Sequence, residues 1–373
     1  MSTFDTDAMV AGIARWTTCE SPTRDAAAVE RMLDIVAAEF EGVPVGVERI
    51  PGRDGLAGVL AVRAGPASDR PHALVLSHVD TVHPIGTRDA HLPVRVDGDR
   101  LYGPGVFDMK GGAYMAMAAF RKAAAEGTLK HPTLYLFTGD EEVGSVSTRP
   151  LIEDSARGAV HVLVTEPARP GGRAVTARRG SGRYDVYMRG IPAHSGSGQA
   201  IGRSAIREAA RQILAIEAQN DAEAGVSATI GLINGGTAAN TIPEHCWFKV
   251  DFRMTRPEDA DRLDRFVRDL QPCEPAVSIR VEGRITRPPY GCDAGIAALH
   301  ARVQAVGGTL GLPLEAYELA GGGSDGNFTA AMGIPTIDGL GIEGDGAHTL
   351  SEHAMIGTIV VRTQLMERLL CDL

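Results

Sequence analysis

Four short runs of consecutive apolar residues constrain the fold of this chain more than any other feature. They occupy residues 58–63, 73–77, 134–137 and 160–164, and each has the length of a β-strand. An Ala- and Met-rich segment with helical character, residues 110–126, separates the second run from the third. Strands that are apolar along their whole length are typical of parallel sheets covered by helices on both faces. The sequence therefore predicts an α/β fold built on a mixed, mostly parallel sheet.

The pattern changes near residue 178. Residues 183–189 and 247–253 alternate polar and apolar side chains, as half-exposed antiparallel strands do. Helical periodicity over residues 203–220 and 258–270 separates such strands. This combination predicts a small α+β unit inserted into the α/β domain. The predicted boundaries are residues 1–177 and 288–373 for the α/β domain and residues 178–287 for the insertion.

Charge and cysteine usage exclude several classes of protein. The 373 residues hold 37 Lys and Arg against 47 Asp and Glu, for a formal net charge of −10. An acidic chain without a basic stretch is not expected to bind nucleic acid or an anionic membrane. No apolar run approaches the ~18 residues that a membrane-spanning helix needs. The five cysteines are scattered and never form a CxxC pair. We therefore predict a cytoplasmic protein without a disulfide framework or a thiolate metal site.

Acidic and histidine residues follow the predicted strands at the points where the strands end. They are His78 and Asp80 after the second run, Glu141 and Glu142 after the third, Glu166 after the fourth, Asp108 in a glycine-rich turn, and His348 near the C-terminus. Taken alone, each has an ordinary explanation as a hydrogen-bonded histidine, a helix cap or a solvated carboxylate. Ligands of open α/β sheets bind outside the carboxyl ends of the strands, so these side chains are expected to converge. Clustered carboxylates repel one another unless a cation neutralises them. Imidazoles with carboxylates suit Zn²⁺, and Mn²⁺ or Co²⁺ less well.

Eight segments resemble, in the same order, the motifs of the M20 metallopeptidases, and most closely the glutamate carboxypeptidase branch of that family. The segments are SHVDTVHP (77–84), YGPGVFDMKGG (102–112), TGDEEVGS (138–145), TEP (165–167), GIPAHSG (190–196), GGTAANTIPE (235–244), RPPY (287–290) and GGGSDGNF (321–328). Two features, Met109 and the four-residue spacing from His348 to Glu352, are instead similar to the deacylases of the family. The resemblance implies a di-zinc catalytic domain interrupted by a lid and dimerisation domain at residues 178–287.

The resemblance also implies a role for each acidic and histidine residue of the cluster. It implies two Zn²⁺ ions per subunit, with Co²⁺ or Mn²⁺ as alternatives, and a homodimer formed through the inserted domain. The implied roles are Asp108 as the carboxylate bridging both metals, His78 and Glu166 as ligands of one metal, Glu142 and His348 as ligands of the other, Glu141 as the general base, and Asp80 as the hydrogen-bond partner that orients His78. The peptide bond between Asp108 and Met109 is implied to be cis.

Substrate contacts are expected mainly from the inserted domain. The resemblance implies that His194 stabilises the oxyanion in the active site of a partner subunit, and that Asn240 contacts the substrate. Candidates for binding the α-carboxylate of the substrate are Arg287 and Arg253, because a guanidinium pairs with a carboxylate through two hydrogen bonds; Arg253 ends a strand of alternating pattern and could equally be a residue of its exposed face. Arg178 is a further candidate by similarity to the desuccinylases, although a hinge or surface role explains it as well. The turn that holds Gly323 and Ser324 offers backbone N–H groups for an anion.

Together these features predict a metal-dependent hydrolase that cleaves the amide bond of N-acyl amino acids or small peptides. The expected product is a C-terminal Glu or Asp. The alternative is a deacylase of the acetylornithine or succinyl-diaminopimelate type, which would use the same metals with other pocket residues. A non-catalytic homologue is disfavoured, because every position implied to bind metal or act as base is filled.

Overall fold

The computed structural model describes residues 4–67 and 72–373. Its helices are α1 (Thr6–Thr18), α2 (Ala26–Ala38), α3 (Thr87–Ala90), α4 (Gly111–Glu126), α5 (Arg149–Ala156), α6 (Ala205–Glu217), α7 (Pro257–Arg268), α8 (Ala294–Gly308), α9 (Gly326–Ala331) and α10 (Ile356–Asp372). Its strands are β1 (Gly46–Ile50), β2 (Val59–Ala64), β3 (Ala73–His78), β4 (Arg95–Asp97), β5 (Arg100–Tyr102), β6 (Thr133–Thr138), β7 (His161–Val164), β8 (Ala174–Val175), β9 (Gly180–Arg189), β10 (Ala193–His194), β11 (Ser227–Gly235), β12 (Thr241–Ile242), β13 (His245–Met254), β14 (Ser278–Arg287), β15 (Ala316–Tyr317), β16 (Thr336–Ile337), β17 (Gly344–Asp345) and β18 (His353–Met355).

The chain divides into two units, of which the first contains the N-terminal and C-terminal segments. It spans Met1–Ala177, Cys292–Ala320 and Ser324–Leu373. Its main sheet has the strand order β1-β2-β6-β3-β7-β16. The pairs β6–β3, β3–β7 and β7–β16 are parallel, whereas β1 and β2 join antiparallel at one edge. Every residue of β3, β6 and β7 is buried, which explains why these strands are apolar almost throughout.

The second unit is an antiparallel sheet with helices packed against it. It spans Arg178–Gly291 and Gly321–Gly323, and its sheet has the order β11-β13-β9-β14. In β13 the burial alternates residue by residue, as the period-two sequence pattern predicts. The buried face forms a core with α6 and α7 that includes Val186, Phe248 and Leu263. A separate short ladder joins β10 to β12.

The predicted fold class is confirmed: the first unit is α/β with a mixed, mostly parallel sheet. The main segment of the second unit spans Arg178–Gly291, and near its ends the backbones of Arg178 and Tyr290 exchange two hydrogen bonds of 3.1 and 3.2 Å. A small sheet of order β17-β18-β5-β4 is not predicted by the sequence. Within the described ranges, no helix combines the length and apolar character that crossing a bilayer requires.

Candidate metal centre

The strands of the main sheet bring three candidate ligands to one edge. His78 is the last residue of β3, Glu142 follows the end of β6, and Glu166 follows the end of β7. Because β6, β3 and β7 are parallel neighbours, their carboxyl ends lie side by side. His78 is 2% and Glu166 is 6% exposed, so these polar side chains sit at the end of a buried sheet.

Asp108 lies between two imidazoles. Its Oδ1 is 3.2 Å from His78 Nε2, and its Oδ2 is 3.3 Å from His348 Nε2. Each imidazole also faces a second carboxylate: His78 Nε2 is 3.7 Å from Glu166 Oε1, and His348 Nε2 is 3.2 Å from Glu142 Oε2. The result is two adjacent donor groups, each with one imidazole and one carboxylate, that share Asp108.

The backbone around these residues takes conformations that are uncommon elsewhere. The peptide bond between Asp108 and Met109 is cis, as the resemblance implied. His348 has a φ of 64°, a left-handed conformation that few residues other than glycine adopt. Gly105, with φ 72°, begins the turn that leads to Asp108. Backbone strain at a non-glycine residue such as His348 is often found at functional sites.

The electrostatics of the cluster favour added positive charge. Burial alone would raise the pKa of Asp108, but hydrogen bonds with His348 and His78 lower it well below the usual range. Hydrogen bonds with Asp108 and Glu142 raise the pKa of His348 to about 11. Burial would lower the pKa of His78, but hydrogen bonds with Asp108 and Asp80 raise it well above its usual value. A metal ion bound here would supply the same charge and displace these protons, because coordination requires neutral imidazoles.

The donor set fits a divalent metal. Two imidazoles and three carboxylates match the ligands that Zn²⁺ takes in hydrolytic sites. Glu142 Oε1 is buried and has no hydrogen-bond partner within the described part of the chain, whereas a buried carboxylate oxygen ordinarily has one. Burial raises the pKa of Glu142. His78, Glu141 and Glu166 form a further group with possible ligand atoms within 4.8 Å of one another.

Asp80 holds the residues beside it in place. This carboxyl group is fully buried and accepts hydrogen bonds from Thr23 Oγ1 at 2.7 Å, Glu141 N at 3.3 Å and Glu142 N at 3.2 Å. His78 Nδ1 lies 3.4 Å from Asp80 Oδ1 and 3.1 Å from the Asp80 carbonyl oxygen. A partner at Nδ1 leaves Nε2 to face Asp108 and Glu166. Asp80 therefore orients both the imidazole and the turn that carries Glu141.

Two buried aspartates that the sequence analysis did not single out fix the loop after β6. Asp140 Oδ2 accepts hydrogen bonds from Ser147 N at 2.7 Å and Thr148 N at 3.2 Å. Asp325 accepts a hydrogen bond from Thr138 Oγ1 at 3.2 Å and another from Ser145 Oγ. Both belong to the quoted segments TGDEEVGS and GGGSDGNF. Their position inside these motifs is the signal that could have identified them.

The second unit brings together Arg178, Arg287 and Gly323. Arg178 is 1% and Arg287 is 4% exposed, and Arg178 Nη1 donates to the carbonyl oxygen of Gly322 at 3.0 Å. Arg253 lies opposite Ser181 on one side of β9, as Arg287 does on the other, and its guanidinium forms two hydrogen bonds, of 2.7 and 3.1 Å, with Asp251 of its own strand.

His194 lies in the β10–β12 ladder of the second unit, and Asn240 directly precedes β12. His194 pairs with Thr241, and Ser195 N donates to the Asn240 carbonyl oxygen at 2.9 Å. The His194 side chain is exposed, and its Nδ1 accepts a hydrogen bond of 3.1 Å from Gly196 N. This hydrogen bond to Nδ1 leaves Nε2 as the ring nitrogen that carries a proton in the neutral imidazole.

Ser324 differs from its predicted role. It belongs to the first unit, is fully buried, and its backbone N–H donates to Asn327 Oδ1 at 2.8 Å. Its hydroxyl donates to Asp338. Both polar groups of Ser324 are therefore engaged inside the protein, and the backbone N–H that was expected to hold an anion already has a partner.

Two imidazoles and three carboxylates, gathered from strand ends and loops at one edge of an α/β sheet with one aspartate shared between the imidazoles, are typical of metal-dependent hydrolases. The comparisons with known proteins specify the family. Residues 74–372 match the model of peptidase family M20/M25/M40. The chain therefore belongs to this family, and it is a metallo-hydrolase of amide bonds in peptides or acyl amino acids.

Two relatives in sequence and one solved structure are similar to this chain. The chain is 29% identical to carboxypeptidase G2 of Pseudomonas sp. (strain RS-16) over 386 residues, which cover 100% of this chain and 91% of that protein. It is 31% identical to acetylornithine deacetylase of Myxococcus xanthus over 281 residues, which cover 70% and 71% of the two chains. Its fold is similar to that of aminopeptidase PepT from Bacillus cereus ATCC 10987, with a TM-score of 0.77, 20% identity and 98% of each chain covered.

Proposed function

We propose that this protein is a two-zinc carboxypeptidase that hydrolyses the amide bond before a C-terminal Glu or Asp of N-acyl amino acids or small peptides. The observation that carries this proposal is the shared aspartate, since each oxygen of Asp108 faces an imidazole that is accompanied by a further carboxylate. The similarity to carboxypeptidase G2 over the whole chain supports the substrate class.

The two donor groups define the residues that would hold the metals. His78, Glu166 and Asp108 Oδ1 would bind one ion, and Glu142, His348 and Asp108 Oδ2 would bind the other. When bound, a pair of Zn²⁺ ions polarises the scissile carbonyl and lowers the pKa of water. Asp80 keeps the His78 ring in the orientation that directs Nε2 toward this position.

Glu141 is proposed as the general base. Its backbone N–H is held by Asp80 at 3.3 Å, in the same turn as Glu142. The Glu141 carboxylate is thus proposed to lie next to the metal ligands without binding a metal itself. Glu141 would take a proton from the attacking water and pass it to the nitrogen of the leaving amino acid.

Arg287 and Arg178 are proposed to recognise substrate carboxylates. Both guanidiniums are buried in the second unit, next to the turn at residues 321–323, and a guanidinium pairs with a carboxylate through two hydrogen bonds. Arg253 is left out of this proposal because its guanidinium is already paired with Asp251. Ser324 is left out because its N–H and hydroxyl have internal partners. Gly323 remains, as the residue that packs against Arg287.

We further propose that the protein is a homodimer joined through the second unit. β11 is an edge strand, and its residues Leu232 and Ile233 are 57% and 56% exposed. On α6 of the same unit, Leu214 is 71% exposed. Unpaired edge strands and exposed apolar side chains are features of association surfaces. In this dimer, His194 and Asn240 are proposed to contact the substrate, with His194 stabilising the oxyanion in the partner's active site.

A cytoplasmic location is proposed as well. All five cysteines are free thiols, and Cys273 and Cys292 are exposed. Exposed free thiols are typical of proteins kept in a reducing compartment.

The second candidate is a deacylase that releases a basic or neutral amino acid. The 31% identity to acetylornithine deacetylase favours this alternative, together with Met109 and the spacing from His348 to Glu352. Both candidates use the same metal centre. They differ in the side chain of the released amino acid, and therefore in the groups that recognise it.

The test is hydrolysis of a substrate panel by the zinc-supplemented protein. The panel comprises N-acyl-Glu, N-acyl-Asp, acetylornithine, succinyl-diaminopimelate and neutral acyl amino acids, each with and without a chelator. We expect release of Glu or Asp that the chelator abolishes and added Zn²⁺ restores. Preference for acetylornithine or succinyl-diaminopimelate would replace the first candidate with the second, and hydrolysis that resists the chelator would contradict both.

A further inference from the structure

Glu352 is a buried carboxylate that the proposed mechanism does not use. It is 1% exposed, and both of its oxygens accept hydrogen bonds from the segment that carries Asp108. Oε1 accepts from Phe107 N at 2.9 Å and Asp108 N at 3.0 Å, and Oε2 accepts from Gly105 N at 2.9 Å. Oε2 also lies 2.8 Å from His83 Nε2. One side chain therefore satisfies three backbone N–H groups and one imidazole.

The turn before α4 requires such a partner. Gly105 has a left-handed backbone, and Asp108, with φ −115° and ψ 95°, is not helical. The N–H groups of this turn therefore cannot all be satisfied by regular helical hydrogen bonds. A buried N–H without a partner costs about 1–3 kcal/mol, and hydrogen bonds to an ionised carboxylate are stronger than neutral ones. The Glu352 carboxylate therefore fixes the backbone at Asp108 itself.

Glu352 also joins this turn to two other segments of the centre. It lies four residues after His348, in the loop between β17 and β18. His83, which is 6% exposed, lies five residues after His78. The carboxylate of Glu352 thus connects the segments that carry His78, Asp108 and His348, three of the five proposed ligands.

We propose that Glu352, together with His83, is a positioning residue that sets the separation between Asp108 and His348 and thereby the affinity of the second metal site. This inference rests on the proposed metal centre. Glu352 does not touch the metal in this proposal; it acts through the backbone N–H of Asp108 and through the loop of His348. Loss of an outer hydrogen-bond partner of a metal ligand typically lowers metal affinity or activity 10–100-fold.

Glu352→Gln is the sharpest variant because it preserves the shape of the side chain. Only one of the two terminal atoms of Gln accepts hydrogen bonds. Its NH₂ group must then face backbone donors: the N–H groups of Phe107 and Asp108 in one orientation, or the N–H group of Gly105 in the other. Either orientation opens the turn on one side.

Glu208→Gln is the matched control. Glu208 is also 1% exposed and accepts backbone hydrogen bonds, from Cys273 N at 2.9 Å and Glu274 N at 3.2 Å. It lies in the second unit and in none of the segments that carry a proposed ligand. The control should lose comparable stability and keep both metal affinities.

The experiment titrates the metal-free full-length protein with Zn²⁺ in competition with a chromophoric chelator, and records the absorption spectrum of the Co²⁺-saturated protein. For wild type we expect two equivalents of bound metal. For Glu352→Gln we expect one equivalent to be weakened 10–100-fold and the Co²⁺ bands to shift, whereas Glu208→Gln should match wild type in both readouts. A merely structural role would lower the stability of Glu352→Gln without changing the spectrum at saturating Co²⁺.

Two His83 variants decide the matter if Glu352→Gln fails to fold. His83→Gln retains a donor for Glu352, and His83→Leu removes it. We expect affinity to fall for Leu and to recover toward wild type for Gln. Wild-type metal binding by Glu352→Gln, or by both His83 variants, would overturn this inference while leaving the proposed function in place. A wild-type protein that binds no metal would overturn the proposed function and this inference together.

Discussion

Replacing Gly323 with Ala is expected to damage recognition of the substrate carboxylate. A Cβ at Gly323 would lie 2.8 Å from Arg287 Cγ and 3.4 Å from Arg287 Cβ and Cδ. The neighbouring Gly322 provides the matched control, because a Cβ at that position has no atom within 4 Å. Both substitutions replace one glycine of the same turn, but only Gly323→Ala introduces a steric clash with Arg287.

The magnitude follows from the contact. Raising 2.8 Å to an ordinary separation of 3.4 Å moves Arg287 Cγ by about 0.6 Å. Cγ belongs to the stem of a side chain that is 4% exposed, so the guanidinium must move with it. A charge-assisted hydrogen bond contributes about 1.5–3 kcal/mol, which corresponds to roughly 10–150-fold. A displacement of about 1 Å can cost ~100-fold. We therefore expect kcat/KM to fall 10–100-fold for Gly323→Ala and less than about threefold for Gly322→Ala.

The assay compares the best substrate of the panel with its C-terminal primary amide. The loss in Gly323→Ala should appear with the free carboxylate and largely disappear with the amide. Adding Gly323→Ala to the Arg287→Ala variant should lower kcat/KM little further, because both substitutions remove the same interaction with the substrate carboxylate. Equal losses for acid and amide in a folded Gly323→Ala protein would refute carboxylate recognition by Arg287.

Three further predictions concern the general base, His194 and the stability of the first unit. Glu141→Gln should retain bound metal and lose turnover, and mixing it with His194→Ala should restore activity through hybrid dimers. Near-wild-type activity of Glu141→Gln would contradict the base assignment. If the mixed variants exchange subunits but regain no activity, the proposed role of His194 is contradicted. At the start of β7, burial, with His131 nearby, lowers the pKa of His161 to about 4 in the folded protein. In the unfolded chain the pKa of a histidine is about 6.5, so between these two pH values unfolding takes up a proton. The free energy of unfolding therefore falls as the pH drops from 7 toward 4. At pH 5 the loss is about 2 kcal/mol, and the urea midpoint of His161→Phe should change less between pH 7 and pH 5 than that of wild type; equal changes would refute the assignment.

Long apolar patterns predict the central part of the fold. β3, β6 and β7 begin and end within one residue of the predicted runs, because these strands are buried on both faces. The edge strand β1 is not predicted, since its residues are exposed except for the half-buried Ile50. β4 is exposed at all three positions, so no apolar run marks it. Strands that bury little are determined by pairing with a neighbour, which the sequence of one segment does not encode.

The part of the candidate site that follows the ends of strands can be predicted from the sequence. His78, Glu142 and Glu166 follow parallel strands, and the edge rule alone brings them together. Asp108 and His348 come from loops, and no periodic pattern relates two loops that far apart in sequence. The family resemblance implied their roles, and the fold brings Asp108 Oδ2 within 3.3 Å of His348 Nε2.

Six acidic residues at and around the candidate metal centre fall into two groups that no sequence pattern separates. The carboxylates of one group face imidazoles. Those of the other group accept hydrogen bonds from backbone N–H groups, and these N–H groups belong to the loops that carry the first group. The facing group is Asp108, Glu142 and Glu166, and the holding group is Asp80, Asp140 and Glu352. A carboxylate whose oxygens already accept several N–H bonds has little capacity left for a cation. Substitution in the facing group should therefore remove negative charge from the proposed metal site, whereas substitution in the holding group should change metal affinity indirectly, by moving a loop or, for Asp80, by also releasing the His78 ring.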